Sequence, residues 1–535
     1  MNQYIKYYQK EYEARRISRR EFAGRLGAAG VAATAATSLL TASDSVLADT
    51  PVKGGRMRIG WYTHSANDTL NPNRLTTSLD FMRAYQVCSP IVRYSTKLTA
   101  EPDLASEWNA SDDLKTWRFK IRNDVEFHNG KSLTIQDCMY SLNRHRGEQS
   151  DSIIKAWLDA IADMKADGDW LVIDLKAPNA DFPMYLGDMH AVVVPDGFED
   201  FDNLVGTGPF TLAAGDFRPG VGMLAKKNPN YHHEGYPHVD EVETFGIGDT
   251  AARVNALLAG DIHITVRVDP KSIPIIEGAP NTTMANSPSS RHLTFPMVSD
   301  RPPTDNRDFR QAMRLLLDRQ AVLDNIQKGY GLLGNDTPIS SLDPYFCEDI
   351  PQRDIDLDKA KFHLKKAGMD GGTINLHTSE AAGGVQSIDM ALMMKENAAK
   401  IGFNINFIRE PTDGYWSNIW LKRDYPIVGC NWMPRPTADL RFSLVYISGA
   451  KWNDAFWKHE KFDGLIELAR GTKDGPERKE IYCEAQQIMW DEGGTIIPLF
   501  THWLDARSTN LGGHRQHPVG EGDGFRIHEW GYLMS

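Results

Sequence analysis

Sixteen histidines, five cysteines and several serine–lysine pairings give this 535-residue chain many groups capable of chemistry, and each must fit its context. Gly130-Lys131-Ser132 matches the end of a phosphate-binding loop, but the earlier glycine position is Val125. Backbone N–H groups wrap phosphate only where both glycines are present. Ser152-Ile153-Ile154-Lys155 has the spacing of a nucleophilic serine with its lysine base, and Ser141-Leu142-Asn143 has the form of a companion element. The order is reversed from the one that chemistry uses, and the third element is missing. His232-His233 and His238 lack the i, i+4 spacing of a helical zinc pair. They sit beside Asn228-Pro229-Asn230-Tyr231, where exposed histidines are ordinary, so no metal ligand set is expected. Cys88, Cys138, Cys347, Cys430 and Cys483 are far apart and contain no C-x-x-C, which disfavours iron–sulfur and structural zinc sites. One or two disulfides are compatible with the spacing, which assigns none; buried free thiols are expected. With no coherent nucleophile–base pair, neither a catalytic residue nor a cofactor is expected.

Binding chemistry is better represented. In Gly429-Cys430-Asn431-Trp432-Met433-Pro434-Arg435-Pro436-Thr437-Ala438-Asp439 an arginine stands three residues after a tryptophan. A guanidinium can donate two parallel hydrogen bonds to a carboxylate or phosphate. Trp432 can supply an apolar wall or stack on a cationic or planar group. The alternative is that Arg435 bridges parts of the structure or pairs with Asp439. Trp416 and Trp420, spaced i, i+4, are expected as a core stripe rather than a sugar platform.

Composition narrows the setting. The chain carries −12 at pH 7, and its first 48 residues hold more base than acid, so the remainder is more acidic still. Such a surface repels nucleic acid and anionic membrane. Ser18-Arg19-Arg20-Glu21-Phe22-Ala23 precedes a weakly apolar run from Leu26 to Leu40 and the small-residue site Val46-Leu47-Ala48. This reads as a twin-arginine export signal, residues 1–48, with a periplasmic mature protein. The run is too short and too rich in Ala, Gly and Thr for a membrane span, which takes about 20 apolar residues. No cysteine near Ala48 suggests a lipid anchor.

The elements that must position the binding groups alternate between strand and helix. Trp117–Arg122 and Trp170–Leu175 have strand character. Thr134 to Asp137 opens a helix through Arg146, with Thr134 as N-cap and Asp137 as capping-box acid. Gly206-Thr207-Gly208-Pro209-Phe210 is a sharp breaker and a plausible crossing between lobes. Helices are expected over Thr250–Leu258, Asp308–Lys328, Ile388–Ile401, Phe462–Arg470 and Glu477–Trp490, and strands over Ile262–Ile264 and Asn404–Ile408. The class is α/β with mixed sheets.

Taken in order, several blocks carry a resemblance. They are Leu104-Ala105-Ser106-Glu107-Trp108, Trp117 to Arg122, Val125-Glu126-Phe127-His128-Asn129-Gly130, and Gly206 to Phe210. Asn228 to Tyr231, Ala259-Gly260-Asp261-Ile262, Asn306 to Ala312 and Ile496-Ile497-Pro498-Leu499 follow. Together they resemble the family 5 extracellular solute-binding proteins of ABC importers, the periplasmic receptors for peptides, nickel chelates, opines and related solutes.

The resemblance implies a two-lobed periplasmic binding protein fold with mixed sheets, a hinge between lobes and an extra subdomain on the first lobe. Lobe I would comprise residues 49–93, 206–290 and 491–535, the subdomain 94–205, and lobe II 291–490. It places the Trp432 segment on the second lobe, facing the cleft. Peptide receptors of this family commonly carry an aspartate where this chain has Arg435, so the anchor's sign is reversed, and Asp439 sits too far along to replace it without a shift. Tyr62 and His64, after the first strand, are further cleft candidates, with packing or a rim position as the alternative. The implied protein is a monomeric receptor that captures a short peptide, opine-like compound or other carboxylate by hinge closure and passes it to an ABC permease. A receptor for a chelated metal such as nickel is the alternative, the metal arriving with its own chelator. A periplasmic redox enzyme would need cysteine clusters or a dinucleotide fingerprint, and the sequence has neither.

Overall fold

The computed structural model describes residues 52–534; the export signal expected over residues 1–48 lies outside them. Its largest sheet has eight strands. At its centre Arg56–Trp61 runs parallel to Glu241–Gly246 and Ile264–Thr265, with antiparallel strands outside. Met57, Ile59 and Trp61 point into one core, as period-two alternation requires. The helix Ser78–Val87 packs on this sheet, capped by Thr77 and tied to it by Trp61 Nε1, which donates to Ser78 Oγ at 2.8 Å.

A second body is an antiparallel sheet in the order Ala105–Ala110, Thr116–Ile121, Trp170–Leu175, Ile161–Asp167. Trp117, Phe119 and Ile121 alternate inward along its second strand. The helix Ile135–Asn143 opens with the expected capping box between Thr134 and Asp137. Lys131 pairs with that same Asp137, and Lys155 with Asp159 at 2.6 Å, so both lysines of the enzyme-like strings serve structural pairs.

The second lobe holds two sheets. One is ordered Gly331–Leu333, Thr495–Trp503, Ser287–Pro296, Cys430–Trp432; the other is parallel, with Thr373–Thr378 between Asn404–Arg409 and Ile427–Val428. Helices Val385–Lys400, Glu460–Arg470 and Pro476–Glu492 cover them.

The lobe boundary expected at residues 290/291 lies inside the strand Ser287–Pro296, and that at 490/491 just before the strand Thr495–Trp503. Ser287–Pro296 and Thr495–Trp503 form one long antiparallel ladder, and the chain rejoins the large sheet at Ala506–Ser508. Strands of this length reach roughly 30 Å and so pass through a domain boundary without a break. Gly206 to Phe210 carries the chain from the antiparallel body back to the large sheet through Phe210–Thr211. Its glycines permit close approach, because a Cβ at Gly206 would lie 2.2 Å from the Val87 carbonyl oxygen. The helix expected over 308–328 stops at Arg307–Leu315. Asp318 then adopts extended dihedrals and caps a new turn, while Arg319 swings into a buried pair with Asp336 at 2.8 Å. Cys347 and Cys483 form a disulfide, contrary to the expectation of free thiols, which holds for the buried Cys88, Cys138 and Cys430. Among the described residues, no helix is long and apolar enough to cross a membrane.

Candidate ligand-binding cleft

The Cys430–Trp432 strand lies at the edge of the long ladder, with His292 opposite Trp432 and Thr294 opposite Cys430. Gly429 seats it closely, since a Cβ there would meet Thr378 Oγ1 at 2.0 Å. Pro434 and Pro436 then remove ladder donors and turn the chain out of the sheet. Thr437 restarts regular structure as N-cap of the helix Ala438–Val445. Arg435 is therefore held on a proline-stiffened connection rather than in a strand.

Its guanidinium is under-used. Among the described residues Arg435 makes one hydrogen bond, from Nη1 to the Pro434 carbonyl at 3.0 Å, and its buried Nε has no partner. Burial pushes its pKa down, opposed by Asp188 and Tyr94. Tyr94 ends the strand Val92–Tyr94 and Asp188 follows the short helix Phe182–Tyr185, both outside the second lobe, so Arg435 faces groups from across the gap. Asp188 is already engaged, with His190 Nδ1 at 2.6 Å from its carboxylate.

Two further arginines converge on the same gap. Arg291, on the ladder strand, donates to Thr501 Oγ1 at 3.0 Å, and its buried Nε is unpartnered. Burial and the Arg267 charge push it down to about 10. Arg267 follows the strand Ile264–Thr265 in the left-handed region at φ 50° and pairs with Glu521 at 3.1 Å. It lies over the Tyr62 ring at 4.4 Å, and its Nη2 is 3.6 Å from Met433 Sδ. Arg267 thus touches both Tyr62 on the large sheet and the segment that carries Trp432 and Arg435.

The sequence candidates separate accordingly. Tyr62 accepts a hydrogen bond from Ser78 Oγ at 3.0 Å and belongs to this network; burial and Glu521 raise its phenol pKa. His64 is exposed and lies over Gly246, where a Cβ would stand 2.1 Å from that of His64, which puts it on the rim. Asp439 does not face the gap as a free carboxylate: it is buried and holds Arg470 through both oxygens at 3.1 Å. Trp432 lines a recess of about 250 Å³ with Trp416, Trp420, Trp452, Met433 and Arg435. The expected core stripe is corrected here, because Trp416 is 42% exposed and its helix spans only Tyr415–Asn418.

Sequence reasoning missed Arg267, Arg291, Glu521, Asp188 and Trp452. Arg291 had a readable signal, a charge within the otherwise apolar and small-residue strand SPSSRHLTFP. Glu521, between Gly520 and Gly522 near the C-terminus, had none that separates it from a surface turn.

Two other places are set aside by their chemistry. A recess of about 410 Å³ at Gly55, Arg56, Lys226, Lys227, Asp240 and Glu241 lies at the amino ends of the central parallel strands. Ligands of such sheets bind at the carboxyl ends. Asp103, His232 and His233 bring ligand-type atoms within 4.8 Å of one another. Arg93 stands among them, 2.9 Å from Asp103 and 2.6 Å from His233 Nε2, and a guanidinium there opposes a metal cation.

Lobes joined by paired long strands, with an under-used guanidinium at Arg435 and an aromatic recess on the second lobe, match a protein that closes on a solute. The chain belongs to the bacterial extracellular solute-binding proteins, family 5, whose middle region matches residues 99–454. It is 23% identical over 448 residues to the probable D,D-dipeptide-binding periplasmic protein DdpA of Escherichia coli K12, covering 80% of this chain and 85% of that one. The substrate-binding protein CtaP of Listeria monocytogenes superposes with a TM-score of 0.80 at 22% identity, over 90% of this chain and 100% of that one. The binding protein AgaA of A. tumefaciens R10, solved with agropinic acid, gives 0.73 at 21% identity, over 90% and 99%.

Proposed function

We propose that this chain is the periplasmic receptor of an ABC importer for a small anionic solute: a short peptide, opine-like compound or other carboxylate. Family membership supports the receptor class. The observation that carries the anionic reading is Arg435, a buried guanidinium beside the recess whose one hydrogen bond among the described residues goes to the adjacent Pro434 carbonyl and whose Nε–H, like that of Arg291, has no partner. A buried donor without a partner costs about 1–3 kcal/mol, which a bound carboxylate or phosphate would recover by completing the guanidinium's hydrogen bonds.

In this reading Arg435 and Trp432 contact the solute from the second lobe, and Tyr62 works through Arg267 from the first. His64 guards the rim, and Asp439 holds the wall through Arg470. The solute is captured as the lobes close and is released to a membrane permease. The receptor acts as a monomer without catalysis and reaches the periplasm by the twin-arginine route.

Thermal shift with a panel of small carboxylates, short peptides and opine-like acids tests it. A solute present at about 100 times its Kd adds about 2.7 kcal/mol of stability. Anionic members should raise the melting temperature and amine-only analogues should not. Elemental analysis of the purified protein tests the chelated-metal alternative: stoichiometric nickel would favour it over a free carboxylate.

A further inference from the structure

Beside Arg435 the second lobe holds a recess whose walls are dominated by indole rings. Trp416, Trp420, Trp432 and Trp452 follow one another with ring centroids 5.5, 5.8 and 6.0 Å apart and interplanar angles of 82°, 61° and 35°. Successive tilted faces of this kind favour edge and face contact with another aromatic ring. Trp420 Nε1 donates to Asp454 at 3.2 Å, so the one polar atom of that ring is already engaged. Trp416 stays 42% exposed although three other indoles are at hand to cover it. A concave site lined by aromatic side chains with one polar anchor is the usual make-up of a small-molecule pocket.

The recess holds about 250 Å³. A cavity of about 150 Å³ takes benzene, so a one- or two-ring system fits. Its charge decides between two kinds of occupant. A tryptophan cage also suits a quaternary ammonium; the charged residue that lines the recess is Arg435, which repels a cation, while the Asp454 carboxylate lies behind the indoles, held by Trp420 Nε1. The same guanidinium has an unpartnered Nε, and the Trp432–Arg435 segment is shared by recess and cleft.

We infer that the solute is an aromatic carboxylate, with its ring in the tryptophan recess and its carboxylate at Arg435. This rests on the receptor reading above and adds the recess as the element that selects among anions. Trp432 walls both halves of the site, and Trp416 closes over the ring from the solvent side.

The test is calorimetric titration of the mature protein with indole-3-acetate, hexanoate, tryptamine and glycine betaine, followed by Trp416→Ala and Arg435→Ala. Indole-3-acetate should bind at least tenfold more tightly than hexanoate or tryptamine. Trp416→Ala, at a position 42% exposed, should weaken it about tenfold while hexanoate is unchanged. Arg435→Ala should weaken both acids. Equal binding of indole-3-acetate and hexanoate, or indifference to Trp416→Ala, overturns the aromatic inference and leaves the anion receptor standing. Preference for glycine betaine overturns it in favour of a cation cage. Binding of both acids that is indifferent to Arg435→Ala, or binding of neither acid, counts against the anion reading itself.

Discussion

Arg478, on the helix Pro476–Glu492, donates to Asp181 at 2.9 Å with its guanidinium wholly buried, and so joins the second lobe to the antiparallel body. The seam continues on either side. Ala180 N donates to the Arg470 carbonyl at 2.9 Å, and the Tyr185 hydroxyl lies 3.4 Å from Asp439, which grips Arg470. These contacts fix how the wall carrying Arg435 meets Asp188 and Tyr94.

Removing Arg478 should therefore act on stability and on closure together. Arg478→Ala leaves Asp181 buried without its counter-charge, a change that costs about 3–5 kcal/mol. Urea denaturation should show that loss. Small-angle scattering should show a larger radius of gyration than wild type, as the lobes part.

Asp439→Asn separates the structural role of that residue from the ligand role its sequence position suggested. Its carboxylate binds Arg470 rather than the gap, so the substitution should lower the denaturation midpoint. Affinity for an anionic solute should stay within about twofold, because removing one carboxylate from the seam deletes no ligand contact. A loss comparable to that of Arg435→Ala would place Asp439 in the site.

The Cys347–Cys483 disulfide spans a sequence separation of 136. A closed loop of that size restricts the unfolded chain by about 4–5 kcal/mol in the loop-entropy account. Reduction should lower the melting temperature by several degrees. Thiol titration of the unfolded protein should find three reactive groups before reduction and five after.

Acid should unfold the protein through the C-terminal segment. Burial alone would raise the Glu529 pKa, but Arg526 and Arg93, at 2.7 and 2.9 Å, outweigh it and hold the group well below its ordinary 4.5. A depressed carboxylate stabilises the native state above its unfolded pKa and loses that contribution as pH falls through the folded one. Melting temperature should thus decline below about pH 4.5, and Glu529→Gln should flatten that limb while lowering stability at pH 7.

The large elements were legible because their signals are local. Period-two alternation marks Thr116–Ile121, the capping box marks Ile135–Asn143, and Gly260, in the left-handed conformation, ends Thr250–Ala259. What local pattern could not show was how distant pieces meet. The apolar stripe of residues 309–323 reads as one helix, yet Asp318 and the Arg319–Asp336 pair break it, and Asp336 lies well downstream in the chain. Arg435 and Trp432 were visible because an arginine and a tryptophan close together are unusual chemistry in one segment. Arg267 and Arg291 became site residues only when strand order placed them beside Met433 and Glu521.

The cleft's specificity turns on the sign of the solute's charge and on Arg435. The direct measurement is to incubate wild type and Arg435→Ala with the same small-molecule extract, isolate each protein, and identify what it retains by native and then denaturing mass spectrometry. Wild type should retain a carboxylate- or phosphate-bearing compound that the variant does not. A retained cation, or equal retention of one compound by both proteins, would contradict the anionic assignment of the cleft.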